Sequence, residues 1–158
     1  MVQVGDQAPD FTLPSSNRDQ MTLSEVLKER IAVLAFYHFA FTDGCGSMLV
    51  QLQEEIDEFH RLGAEVYGIS ADSHFAQWWW AHERELDYPL LGDLDRKTFA
   101  PYGVELPELA GYSRIAQRAI FVVGRDGKIA YADVGQEHYD QPEALPALEA
   151  VRRLAEAG

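Results

Sequence analysis

Val33-Leu34-Ala35-Phe36-Tyr37 is an unbroken apolar run that follows the polar, helical-looking segment Leu23 to Arg30. A short run without a polar face predicts a central strand buried on both sides. The period then changes: from Ser47 onward Met48, Leu49, Leu52, Ile56 and Phe59 recur at spacings of three and four, with acids opposite, until Gly63. That spacing predicts a helix packed by one face and stopped at the glycine. Ala64 to Ile69 predicts a second buried strand. Ser73 is placed to cap a helix that passes through Trp78-Trp79-Trp80 to about Leu86, and Pro89-Leu90-Leu91 makes a short extended piece before a turn at Gly92-Asp93. Ala119 to Val123 and Lys128 to Ala132 flank Gly124-Arg125-Asp126-Gly127, whose Asp-Gly pair signals a hairpin. Glu143 to Ala157 carries Leu145, Leu148, Val151 and Leu154 at helical spacing.

The predicted order is strand, helix, strand, helix, short strand, helix, hairpin and final helix. It describes an α/β protein with a mixed central sheet and helices on both faces. With 158 residues, 47% of them apolar, one domain over residues 1–158 is expected. Thirteen basic against twenty-six acidic residues leave a net charge of −13, which repels phosphate backbones and anionic lipid head groups. Neither nucleic acid nor a membrane is therefore an expected partner. Met1 to Asp10 has neither a basic start nor an apolar signal core, so the cytoplasm is the expected compartment. His60, His74, His82 and His138 show no ligand spacing such as His-x-x-x-His and read as surface or satisfied residues, not as a metal site.

The chain has one cysteine, Cys45, which cannot form an internal disulfide. It lies in His38-Phe39-Ala40-Phe41-Thr42-Asp43-Gly44-Cys45-Gly46-Ser47, where the first buried strand feeds the long helix. Open α/β sheets place their reactive sites at such junctions. With Thr42 or Asp43 as the cap, Cys45 stands in the first helical turn, where unpaired N–H groups and the helix dipole favour a thiolate. One unit of thiol acidity corresponds to about 1.4 kcal/mol and a helix end supplies about 0.3–1, so a strongly activated thiolate needs a further cation. Arg118 is the candidate, and Asp43 opposes it. A lone cysteine is often only a small core hydrophobe, and Arg118 alone reads as a surface residue at a strand edge. Gly44, Gly46 and the polar Thr42-Asp43 pair are unlike the apolar surroundings of an inert thiol.

Phe36-Tyr37-x-Phe39-Ala40-Phe41-Thr42-x-x-Cys45 resembles the active-site segment of the peroxiredoxins, the thiol-specific antioxidant and alkyl hydroperoxide reductase family, in which Thr-x-x-Cys closes a Pro-x-x-x-Thr-x-x-Cys motif. Gly5-Asp6-Gln7-Ala8-Pro9-Asp10-Phe11 is similar to the family's opening Gly-x-x-Ala-Pro-x-Phe. Ile69-Ser70-Ala71-Asp72-Ser73, Tyr88-Pro89-Leu90-Leu91-Gly92-Asp93, Tyr102-Gly103-Val104 and Arg118-Ala119-Ile120-Phe121-Val122-Val123 follow in the family's order. The resemblance implies a thioredoxin-like fold with an amino-terminal extension. It makes Cys45 the peroxidatic thiolate, Thr42 a hydrogen-bonding partner of thiolate and peroxide, and Arg118 the cation that holds the sulfur as an anion. His38, Phe41 and Gly44 fall at the pocket.

Two departures stand out. His38 occupies the place of the family's proline, and Met48 stands where many relatives carry Glu or Gln, with a core-facing side chain expected. The implied reaction is a one-cysteine peroxidase cycle that needs no metal, flavin, haem or other cofactor: a hydroperoxide oxidises Cys45 to a sulfenic acid, and an external thiol, whether a small thiol, a glutaredoxin or a thioredoxin, resolves it. The rival reading is a redox sensor or binding protein with little turnover; a disulfide-exchanging thiol transferase is disfavoured because Cys-x-x-Cys is absent. Consecutive Trp78-Trp79-Trp80 point in different directions on a helix, so one or two should be core and the remainder surface, available to a homodimer contact.

Overall fold

The computed structural model describes residues 2–158, apart from the side chains of Asp43, Gly44 and Cys45. The elements are β1 (Thr12–Pro14), β2 (Gln20–Thr22), α1 (Leu23–Val26), β3 (Ile31–Phe36), α2 (Asp43–Glu54), α3 (Ile56–Arg61), β4 (Ala64–Ser70), α4 (His74–Glu83), β5 (Leu90–Gly92), β6 (Glu105–Leu109), β7 (Tyr112–Ala116), β8 (Ala119–Val123), β9 (Ile129–Val134) and α5 (Ala144–Ala157). The main sheet runs β5-β4-β3-β8-β9, parallel between β5, β4 and β3 and antiparallel from β3 to β8 and β9. The apolar run predicted as central is the middle strand, and all six of its residues are buried.

Alternation along the strands separates two cores. Val33, Ala35, Val66, Ile120 and Val122 face α2, α3, α4 and α5, through residues such as Leu49, Phe59, Trp80 and Val151. Leu34, Phe36, Ile69, Phe121 and Val123 face the opposite way, against Phe11, Leu13, Leu23 of α1, Phe99, Tyr102 and Ile115. Helices thus lie on both faces, but the second face is covered mainly by the amino-terminal segment and residues 99–116. The same segment pairs with the β8–β9 turn, through Gly5 N–H to Ile129 and Ala8 N–H to Gly127, and with the β5 edge through Ser16 N–H to Leu90. An edge strand is thereby shielded from pairing with another chain.

The hairpin turn forms at Gly124–Gly127, closed by Gly127 N–H on the Gly124 carbonyl, with Gly127 at φ +84°. Ser73 caps α4 by accepting from Ala76 N–H. Three expectations need correction. The long helix from Ser47 begins earlier and is broken at Glu55 into α2 and α3. No helix forms between β5 and the hairpin: the Asp93 carboxylate binds Lys97 and Thr98 N–H, but Arg96 at φ +56°, Pro101 and Gly103 at φ +72° turn the chain before a helix can propagate. The antiparallel ribbons β1–β2 and β6–β7 were not expected.

Candidate active site

The segment between β3 and α2 is gripped residue by residue. Tyr37 N–H donates to Ile69 O across the parallel ladder, and Gln77 Nε2 on α4 lies 3.1 Å from the Tyr37 hydroxyl. Ala40 N–H donates to Asp72 Oδ2 at 2.7 Å, an oxygen that also accepts from Ser70 Oγ at 2.6 Å. The Phe39 ring meets Tyr112 of β7 edge-on at 5.3 Å, and the Phe41 ring lies 6.2 Å from Trp80. Phe41 is held at φ +67° with its side chain 55% exposed. A non-glycine residue in that region carries strain of order 1–3 kcal/mol, which the surrounding contacts must offset.

Thr42 is the N-cap of α2, extended at φ −103° and ψ 141°, and its carbonyl accepts the first helical bond from Gly46 N–H at 3.1 Å. Its hydroxyl does not cap the helix: it donates to Phe39 O at 2.7 Å. The single hydroxyl proton is spent there, so in this arrangement Thr42 Oγ1 meets any further partner as an acceptor. Position 45 lies in the first turn of α2.

The β3–β8 register pairs Ala35 with Ile120 and Phe36 with Ala119. Continued by one and two residues, it sets Tyr37 across from Arg118 and His38 across from Gln117, so Arg118 reaches the strand end that feeds α2. Arg118 is buried, its Nη1 lies 3.4 Å from Tyr139 O, and its carbonyl accepts from Gly135 N–H. His38 is buried too, with Nε2 3.4 Å from Gln117 Oε1.

Helix α4 forms the opposite wall. Gln77, Trp80, Ala81 and Arg84 share one face. Gln77 donates to Ser70 Oγ and Leu91 O, the Trp80 ring packs 5.3 Å from Tyr37, and the Arg84 guanidinium lies so close to Gly46 that a Cβ there would meet its Cζ at 3.2 Å. A second guanidinium thus covers the first turn of α2. Beneath it the Tyr88 hydroxyl donates to Leu49 O, and burial, followed by the nearby Tyr37 phenol, raises the Tyr88 pKa well above its ordinary value.

Of the predicted site residues, Thr42, His38, Phe41 and Arg118 are brought to one strand end. The side-chain assignments for Cys45 and Gly44, and the opposing charge assigned to Asp43, lie outside the described residues. Met48 is core-facing at 1% exposure. Sequence reasoning missed Asp72, Gln77, Arg84 and Gln117. Asp72 was signalled by its place in Ile69-Ser70-Ala71-Asp72-Ser73 and Gln117 by adjacency to Arg118; Gln77 and Arg84 were signalled only by sharing a helical face with Trp80.

A sequence model described as the AhpC/TSA family matches residues 4–132. The chain belongs to this family, the peroxiredoxins. Curated peroxiredoxin relatives include a putative peroxiredoxin of Synechocystis sp. (strain ATCC 27184 / PCC 6803 / Kazusa), 32% identical over 98% of this chain and 80% of the relative. A thiol peroxidase of Bacillus subtilis (strain 168) is 31% identical over 97% and 89%. Among solved structures, a peroxidoxin from Mycobacterium tuberculosis superposes with a TM-score of 0.85 at 30% identity, covering 98% of this chain and 99% of that one. The peroxiredoxin fold is thioredoxin-like, in agreement with the mixed five-stranded sheet, and the family's chemistry is that of thiol peroxidases.

Proposed function

We propose that this peroxiredoxin is a one-cysteine thiol peroxidase in which Cys45 is the nucleophile. The observation that carries the reading is the β3–β8 register, which delivers the buried Arg118 to the strand end feeding the helical turn that contains the chain's only cysteine. In the reaction the Cys45 thiolate attacks the terminal oxygen of a hydroperoxide. An S–O bond forms, the O–O bond breaks, and the leaving oxygen departs as water or an alcohol after taking a proton. Negative charge grows on that oxygen, so first-turn N–H groups and the Arg118 guanidinium stabilise the transition state, while Thr42 Oγ1 accepts from the peroxide hydroxyl.

Sulfur leaves this step as a sulfenic acid. With no second cysteine in the chain, an external thiol attacks it, expelling water and forming a mixed disulfide. A second external thiol then attacks this mixed disulfide at the sulfur of the first, forming a disulfide between the two external thiols and releasing Cys45 as the thiolate. A small thiol, a glutaredoxin or a thioredoxin has the required chemistry. A cycle recycled by thiols suits a reducing compartment, and we assign it to the cytoplasm. Phe75 and Trp79, 67% and 64% exposed, rim a hollow of about 220 Å³ on α4, and this apolar surface supports pairing of two copies as a homodimer.

Peroxide consumption with added thiol tests the function. Sustained turnover that Cys45→Ser abolishes supports the enzyme, with the sulfenic acid identified on Cys45 by mass spectrometry. One stoichiometric oxidation followed by arrest overturns it in favour of a redox sensor.

A further inference from the structure

We propose that Gln117 is a positioning residue of the thiol site: its carboxamide fixes His38 with a proton on Nε2 and binds His38, Arg118 and the 135–139 segment into one hydrogen-bonded unit. The proposal rests on the reading of the β3–α2 junction as the reaction site. Gln117 and His38 are 4% and 5% exposed, so their polar atoms find their partners in protein.

A carboxamide has two N–H donors on one side and an accepting oxygen on the other. Gln117 Nε2 donates to Gly135 O at 3.0 Å and to Glu137 O at 2.8 Å, which uses both hydrogens. The reverse orientation would set the amide oxygen against two carbonyl oxygens, so the pair of carbonyls fixes which way the group points. Oε1 therefore faces inward, where it accepts from Arg118 N–H at 3.0 Å and lies 3.4 Å from His38 Nε2.

An oxygen that can only accept requires a proton on the histidine nitrogen facing it. Without that proton, two lone pairs would oppose each other in a buried setting, where the mismatch is costly. The neutral His38 ring is thus the Nε2–H tautomer, and Nδ1 is its proton-accepting atom. The family's proline at this position offers no ring proton to place. The same carboxamide braces Arg118 through its backbone, and the 135–139 segment returns two contacts to Arg118, Gly135 N–H to its carbonyl and Tyr139 O to its Nη1.

The test is nitrogen NMR of the His38 ring in the whole reduced protein without peroxide, assigned by comparison with His38→Asn. The expected spectrum shows a protonated Nε2 and an unprotonated Nδ1, with tautomers mixing in Gln117→Leu. The rate constant for Cys45 oxidation should fall roughly tenfold to a hundredfold in Gln117→Leu, the scale of a displaced reacting geometry. A double variant of Gln117→Leu with His38→Phe should fall no further than the worse single variant. A wild-type ring with its only proton on Nδ1 overturns the proposal, as does a folded Gln117→Leu protein with an unchanged tautomer or independent, multiplying penalties. The wild-type spectrum needs no turnover, so its failure is distinct from failure of the peroxidase reading, which Cys45→Ser decides.

Discussion

Asp72 shows how a residue remote from the sulfur in sequence shapes the site. Its Oδ2 accepts from Ala40 N–H in the β3–α2 segment and from Ser70 Oγ at the end of β4, joining the two strand ends that bound the site. Asp72→Ala leaves a partly buried backbone donor without its partner. The expected cost is about 1–3 kcal/mol of stability, read by denaturant unfolding, together with slower oxidation of Cys45 because the segment before Thr42 is released. Unchanged unfolding and oxidation would show that the segment is held by its other contacts alone. At this scale the sequence offers candidates where a residue type carries its own chemistry, as with Cys45, Thr42 and Arg118 in the segments that resemble the family's. It was silent where geometry decides. Nothing local to Thr42 shows its hydroxyl turned toward Phe39 O and away from the helix, and nothing local to Gln117 shows both of its N–H groups committed to carbonyls.

Among elements, legibility followed burial. The wholly apolar β3 and β8, and β4 with only Glu65 and Ser70 polar, were readable because a strand buried on both faces leaves an unmistakable run. The β6–β7 ribbon was not, since Glu105–Leu109 has no buried residue, contains Pro107 and shows no alternation. β1 and β2, three residues each, are too short to express a period. The boundary between β5 and the turn that follows has a sharper constraint. A Cβ on Gly92 would lie 2.8 Å from His74 N and 2.9 Å from Asp72 O, both backbone atoms that cannot swing aside. Gly92→Ala should therefore cost about 1–3 kcal/mol in thermal or denaturant unfolding, through displacement of the start of α4 from β5. A variant as stable as the parent would mean that the backbone at 72–74 yields more freely than this packing implies.

For the whole molecule, titration and assembly give two further tests. Burial, with a smaller contribution from the Glu65 charge, pushes the Tyr67 pKa up to about 12, and burial likewise raises Tyr88 and Tyr102. An unfolded tyrosine loses its proton near pH 10, so above that pH the folded protein holds more protons than the unfolded chain and stability falls as pH rises. The tyrosine contribution is whole below about pH 10 and, for Tyr67, lost through about pH 12. Denaturant midpoints across this range should decline, and a flat profile would contradict the burial. Sedimentation at micromolar concentration should give a dimer that Trp79→Glu weakens, and a clean monomer would remove α4 as an assembly surface.

The proposed peroxidase chemistry requires Cys45 to be ionised at neutral pH by the first turn of α2 and Arg118, and titration of the thiolate by its ultraviolet absorbance is the decisive measurement. Half-ionisation is expected at or below about pH 7, moved upward by Arg118→Ala, against about 8.5 for an ordinary cysteine. A thiol still protonated above about pH 8.5 in the parent protein, or one indifferent to the loss of Arg118, would contradict it.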